Sequence, residues 1–172
     1  MLIYFKLIFL QQNWQVLLYG KSIVGGIIGG FLGVIITKKL LKITGKRGNL
    51  FAPAIALGVA IGRIGCFLRG CCYGKATSMP WGVDFGDHIL RHPTQIYESL
   101  FMFLLFCYLM WKRTKNPKPG QLFKILGISY FTFRFLIEFL RVEPIAVLGM
   151  TWFQLISIIC LVYLIFFFDK KK

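Results

Sequence analysis

The sequence alternates long apolar runs with short polar connections. Apolar stretches cover 22–36, 50–68, 96–111, 121–140 and 148–168. Most lack the regularly recurring polar positions of a half-buried soluble helix, so the pattern predicts helices that are apolar nearly all round. Crossing a bilayer core takes about 20 such residues. The 22–36 run is short and carries GGIIGG at its centre. Glycines there permit close helix contact, or a broken helix lining a cavity. The 121–140 run contains internal charges, 148–168 is the cleanest span, and 2–19 adds a poorer further helix. The predicted fold is an all-α integral membrane protein, a polytopic bundle of about five to six transmembrane segments with glycine-rich and re-entrant pieces. It forms one membrane domain over 1–172. The opening MLIYFKLIFLQQNWQ turns polar at Gln11 and has no small-residue cleavage site, so it does not read as a signal peptide.

Composition strengthens the membrane reading. Hydrophobic residues make up 57% of the 172 positions, against about 45–50% in soluble domains even with glycine counted. The net charge of +15 would suit nucleic acid, but its placement does not. Lysine and arginine gather at 38–47, 112–124 and 170–172, each beside an apolar run. That is the positive-inside pattern of cytoplasmic loops, with added attraction for anionic lipid. A basic total alone is a weak nucleic-acid footprint, so no nucleic-acid partner is expected. The longest polar stretch, 69–94, holds two of the six acidic residues and few lysines. With the basic loops in the cytoplasm, alternation places 69–94 outside.

Three polar clusters sit at membrane depth or at its edge. Arg63 and Arg69 flank the glycine and cysteine residues of GRIGCFLRGCCYG, RHPTQIYE opens a helix at Arg91–Glu98, and FRFLIEFLR carries Arg134, Glu138 and Arg141 at helical spacing. Arg134 and Glu138 are four apart and share a face, where they can pair. One such pair is equally compatible with plain helix locking. Ionisable residues inside a span nevertheless mark functional sites by default. Arginine stays charged when desolvated, and its fork matches phosphate oxygens. Arg63, Arg91, Arg134 and Arg141 therefore make a candidate pocket for an anionic lipid head group.

These motifs carry a resemblance. GRIGCFLRGCCYG, PWGVDF, RHPTQIYE and FRFLIEFLR, in that order, with GKSIVGGIIGG before them and GMTWFQLIS after, resemble the bacterial prolipoprotein diacylglyceryl transferases. The likeness runs from about Gly20 to Ser157. It implies a multi-pass enzyme of the bacterial cytoplasmic (inner) membrane with its active face outward. Such an enzyme moves the diacylglyceryl group of phosphatidylglycerol onto the lipobox cysteine thiol of a preprolipoprotein, docked through its signal peptide. The resemblance makes Arg63, Arg134, Glu138 and His92 the catalytic candidates. Gly74, Arg91, Gln95, Tyr97, Glu98 and Arg141, together with Arg63, are the substrate-binding candidates. No metal or organic cofactor is implied. The chain departs from the family at Val24, where a histidine is usual, at Cys66 in place of an asparagine, and at Cys71 in place of a glutamate.

Those departures keep two alternatives open: a divergent paralogue with cysteine-based chemistry, or a non-catalytic anionic-lipid-binding membrane protein. Cys66 and Cys71 are the candidate thiol site. Their spacing offers no C-x-x-C pair, so a metal is not expected. Cys72 could pack, or join a disulfide that more readily involves Cys66 than its own neighbour. Cys107 and Cys160 lie in apolar runs and read as small hydrophobes. Of the two histidines, His88 and His92, only His92 lies in a family motif, where a base near neutral pH could act.

Overall fold

The computed structural model describes residues 23–42, 48–142, 145–147, 149–166 and 168. The expected helix at 2–19, the reading of the first residues and the basic 170–172 tail lie outside the described residues. The chain divides into two compact units, Met1–Gly45 and Lys46–Lys172.

The first unit contributes helix α1, Ile23–Leu40. Its glycine-rich run is one unbroken helix that continues past 36 and ends on Lys38 and Lys39. Cations at that end complement the helix dipole.

Among its described residues, the second unit contains four α-helices: α2 (Gly48–Leu68), α3 (Thr94–Arg113), α4 (Gln121–Ile137) and α5 (Trp152–Phe166). Helix α2 packs chiefly on α3, and α4 on α5, with α4 also touching α2 and α3. Ala52, Ala56 and Ala60 recur every fourth residue on α2 and are all buried. Small side chains there let α3 approach closely, and the Ser99 hydroxyl of α3 donates to the Ala60 carbonyl at 2.8 Å. Leu122 and Leu126 of α4 and Leu164 of α5 are buried as well.

Polarity is inverted relative to a soluble protein. The buried set includes Arg63, Glu98, Arg134, Glu138 and Gln154, while Phe51, Ile61, Leu100, Phe103, Leu104, Trp111, Ile159 and Phe166 are exposed. An apolar exterior of this extent belongs in lipid. Among the described residues, α2 and α3 are long and apolar enough to cross a bilayer, and α5 is apolar but shorter. The start of α5 has a local cause. Thr151 and Gln154 form a reciprocal cap, Thr151 N–H to Gln154 Oε1 at 2.9 Å and Gln154 N–H to Thr151 Oγ1 at 3.3 Å, which begins the helix at Trp152 rather than at 148. Just before it, β3 (Ile145–Val147) pairs antiparallel with β4 (Met150–Thr151).

At the far end of the bundle, Asn49 joins two helices. Its Oδ1 accepts the Leu122 N–H at 2.9 Å, and its amide donates to the Lys118 carbonyl at 2.8 Å and the Pro117 carbonyl at 3.3 Å. Gly120, at the α4 N-cap, has no side chain to cap the helix, so Asn49 from α2 does so from outside.

The chain between α2 and α3 forms a polar layer. β1 (Val83–Asp84) and β2 (Leu90–Arg91) make an antiparallel hairpin whose tip is tied by Asp84 Oδ1, which accepts the N–H groups of Gly86, Asp87 and His88. Residues 74–77 lie alongside. They bond Leu90 and His92 on one side through Thr77 N–H, His92 N–H and Gly74 N–H, and Leu140 on the other through Lys75 N–H at 2.7 Å. The layer is thereby sewn to the end of α4, and Gly74 faces Arg141 across it.

Candidate active site

Beneath this layer lies a buried cluster of charge. Arg63 comes from the last turns of α2, Glu98 from the start of α3, Tyr130 and Arg134 from α4, and Glu138 and Arg141 from the single 3-10 turn Glu138–Leu140 and its end. All are at most 9% exposed. Arg63 Nη2 pairs with Glu98 Oε2 at 2.7 Å, and Arg134 Nη2 with Glu138 Oε2 at 2.9 Å. Arg141 Nε lies 3.9 Å from the same Glu138 oxygen. Tyr130 is within electrostatic reach of Glu98 and all three arginines, so the two ion pairs form one cluster. The Arg134 guanidinium lies 4.7 Å from the centre of the Phe153 ring. Glu138 is also held by the Thr151 hydroxyl at 3.0 Å, so the α5 cap that starts the helix also fixes the carboxylate.

The hydrogen bonding of the cluster bears on ligand binding. Among the described residues, several buried atoms lack hydrogen-bond partners: Arg63 Nε, Arg134 Nε and Nη1, Glu98 Oε1, Gln95 Oε1 and the Tyr130 hydroxyl. Each such buried group costs about 1–3 kcal/mol. A phosphate would satisfy the arginine donors.

The layer above contributes further groups. His92 Nδ1 is 3.2 Å from the Tyr97 hydroxyl, which also accepts the Trp81 indole N–H at 2.8 Å. Gln95 donates to the Cys71 carbonyl at 2.7 Å, and Thr94 to the Cys72 carbonyl at 2.9 Å. Gly74 occupies a place no other residue fits. A Cβ there would stand 2.6 Å from the Leu140 carbonyl oxygen and 2.9 Å from His92 Cβ and Thr94 Cγ2. Arg91 stands apart from the buried arginines. It bonds Asp87 at 2.6–2.7 Å and lies 4.9 Å from the Tyr73 ring centre. That hydrogen bond holds the Asp87 carboxyl below its ordinary range and raises the Arg91 guanidinium further. A shallow open depression lined by Ala76, Thr77, Ser78, His88, Ile89 and Leu90 contains none of the arginines.

The sulfurs of Cys66, Cys71 and Cys72 converge to within 4.8 Å of one another. Burial, Cys72 and Cys66 push the Cys71 thiol up to about 11. A thiol in that state is a poor nucleophile, because the thiolate is the attacking form. Val24 belongs to α1, in the other unit.

Of the motif residues, the structure thus brings Arg63, Glu98, Arg134, Glu138 and Arg141 together. It sets Gly74, His92, Gln95 and Tyr97 in the overlying layer and leaves Arg91 on the hairpin. Tyr130, Thr151 and Gln154 were not singled out from the sequence. Tyr130 lies four residues before Arg134, and Thr151 and Gln154 have capping-box spacing in TWFQ.

A sequence profile of the prolipoprotein diacylglyceryl transferases matches residues 1–168. The chain belongs to this family. It is 42% identical over 161 residues to a phosphatidylglycerol–prolipoprotein diacylglyceryl transferase of Clostridium tetani, covering 89% of this chain and 65% of that protein. It is 32% identical to the second such transferase of Clostridium perfringens, covering 97% and 73%. A Mannheimia succiniciproducens transferase is 38% identical, covering 80% and 53%. The chain thus spans between about half and three quarters of the length of these diacylglyceryl transferases, and 65% of the Clostridium tetani protein. Membership of this membrane family agrees with the inverted polarity of the helices.

Proposed function

We propose that the protein is a phosphatidylglycerol–prolipoprotein diacylglyceryl transferase. Its substrates in this reading are phosphatidylglycerol and the lipobox cysteine of a preprolipoprotein, docked through its signal peptide in the bacterial cytoplasmic membrane. The observation that carries the proposal is the buried donors Arg63 Nε and Arg134 Nε and Nη1, unmatched among the described residues beside two buried ion pairs. A phosphodiester bound there gains charge-assisted hydrogen bonds in a site shielded from water, where they are strongest.

The thiol sulfur attacks the glyceryl carbon next to the phosphate. The carbon–oxygen bond breaks, its electron pair leaves on the glycerol phosphate, and a thioether forms. Arg63 and Arg134 stabilise the charge growing on the departing phosphate. Glu98 and Glu138 hold those arginines, and Thr151 holds Glu138. In the tautomer whose Nδ1–H donates to the Tyr97 hydroxyl 3.2 Å away, His92 Nε2 keeps its lone pair and takes the thiol proton.

In the same proposal the chain is one membrane domain with spans at 22–36, 50–68, 96–111, 121–140 and 148–168, and the layer at 69–94 faces outward. Gln95, Gly74 and Tyr97 shape the site, and Arg91 meets the head group from the hairpin.

The test is transfer of labelled diacylglyceryl to a lipobox peptide by the full chain in phosphatidylglycerol vesicles. Wild type should form the thioether, and Arg134→Lys should lose it. Lipid binding without transfer would favour the non-catalytic reading. Neither binding nor transfer by correctly inserted protein would reject the proposal.

A further inference from the structure

The cysteine triad is not used by the chemistry above. Cys66 lies in the last turn of α2, and beyond Leu68 the chain reverses through Gly70, at φ 67°, and Cys72, also at φ 67°. This brings Cys71 N–H onto the Cys66 carbonyl at 3.1 Å and the three sulfurs within 4.8 Å of one another. A non-glycine residue held at positive φ is strained and persists only where its surroundings impose it. Here the clamps are Gln95 on the Cys71 carbonyl and Thr94 on the Cys72 carbonyl, both 1% exposed. The sulfurs themselves are less covered, since Cys66 and Cys71 are half-buried and Cys72 is exposed.

We propose that Cys66, Cys71 and Cys72 form a three-thiolate site for Zn²⁺ with its fourth position open to a thiol from outside. Four sulfurs at a Zn–S distance of about 2.3 Å stand about 3.8 Å apart in a tetrahedron, so side-chain rotation closes the remaining gap. Three soft thiolates favour zinc over magnesium or calcium. Three protein ligands with a fourth place left for water or substrate is the arrangement of catalytic rather than structural zinc. The spacing in sequence hides the site, because the approach of the sulfurs depends on the reversal at Gly70 and Cys72. Three thiolates around Zn²⁺ carry one net negative charge, and Arg63, one turn before Cys66 and in electrostatic reach of it, lies next to that charge.

The role of the fourth position rests on the transferase reading. The metal stands one helical turn from Arg63, and a thiol is the acceptor class of that reaction. Binding replaces a metal-bound water with the sulfur and gives the thiol proton to His92, the base of the reaction above, with no change of oxidation state. The acceptor then arrives as a metal-bound thiolate next to the phosphate site.

The experiment uses the full chain, reduced and purified in detergent, titrated with Co²⁺ alone. One Co²⁺ per chain should bind with a sulfur-to-cobalt charge-transfer band and the visible spectrum of tetrahedral cobalt, and Zn²⁺ should bleach both. Cys66→Ser, Cys71→Ser and Cys72→Ser should each weaken binding by more than about 100-fold, beyond the about 10–100-fold that loss of an outer-shell partner produces. Cys107→Ser and Cys160→Ser should leave it unchanged. A cysteine peptide, but not its serine analogue, should shift the visible bands. Absence of a sulfur–cobalt band in wild type, or a disulfide on Cys66 in protein taken from cells, overturns the site. A spectrum indifferent to the cysteine peptide overturns the open position. Cobalt binding by a protein that transfers nothing rejects the transferase reading and leaves the metal site standing.

Discussion

Replacing Glu98 by glutamine tests whether the arginine cluster awaits an anion. Glu98 is 1% exposed and Arg63 is 5% exposed, with 2.7 Å between Nη2 and Oε2. Glutamine keeps the shape and an acceptor oxygen but removes the charge, leaving Arg63 buried without its counter-ion. Breaking a buried pair costs about 3–5 kcal/mol. The surviving hydrogen bond puts Glu98→Gln near the lower end, about 3 kcal/mol. Unfolding in nanodiscs of zwitterionic lipid should show that loss in full. Nanodiscs containing phosphatidylglycerol should recover about 1.5–3 kcal/mol of it, the worth of a hydrogen bond to a charged group, because a phosphate can take the place of the missing carboxylate. The double variant Arg63→Met with Glu98→Gln should be close to wild type in the zwitterionic discs, since neither charge is then left unpaired. Equal losses for the single variant in both lipids would refute the idea that the cluster is built around an absent anion.

Three further outcomes follow from other parts of the molecule. Asn49→Ala removes an external helix cap and should cost about 1–2 kcal/mol in thermal or denaturant unfolding, with any transfer rate unchanged because it lies at the opposite end of α2 from Arg63. Gly74→Ala forces a Cβ against the Leu140 carbonyl and should lower stability by about 1–3 kcal/mol as overpacking does, with transfer falling by about 100-fold if the site moves by an ångström. Ser78→Cys, in a background with Cys66, Cys71 and Cys72 replaced, should react with an impermeant maleimide in intact cells; labelling only after lysis would reverse the orientation.

What the sequence disclosed follows from how local each feature is. Arg134 and Glu138 were readable as a pair because four residues of helix place them on one face. The Arg63–Glu98 pair was not, because 35 positions separate its members and only the packing of α2 on α3 brings them together. Arg91 shares a motif with Glu98 yet lies on the hairpin, since the chain turns at Pro93 between them. Apolar runs located the helices but could not start α5 correctly, because Thr151 and Gln154 set its first residue through a cap rather than through hydrophobicity. The cysteines were hardest, as their convergence depends on left-handed backbone at Gly70 and Cys72 that spacing does not encode.

The double attachment of segment 74–77 limits how substrates can reach the arginines. A flap hinged on one margin could swing up and admit a ligand from the aqueous side. This segment is instead bonded along both margins, to Leu90 and His92 and to Leu140, by four backbone hydrogen bonds. Lifting it would break all of them, at roughly 0.5–1.5 kcal/mol each, and would pull on the turn that carries Arg141. In the proposed function the phospholipid already lies in the bilayer beside the exposed apolar faces of α2 and α3 and needs no such lift. Its cheaper way in is sideways, with the acyl chains left in the membrane while the head group slides under a fixed roof.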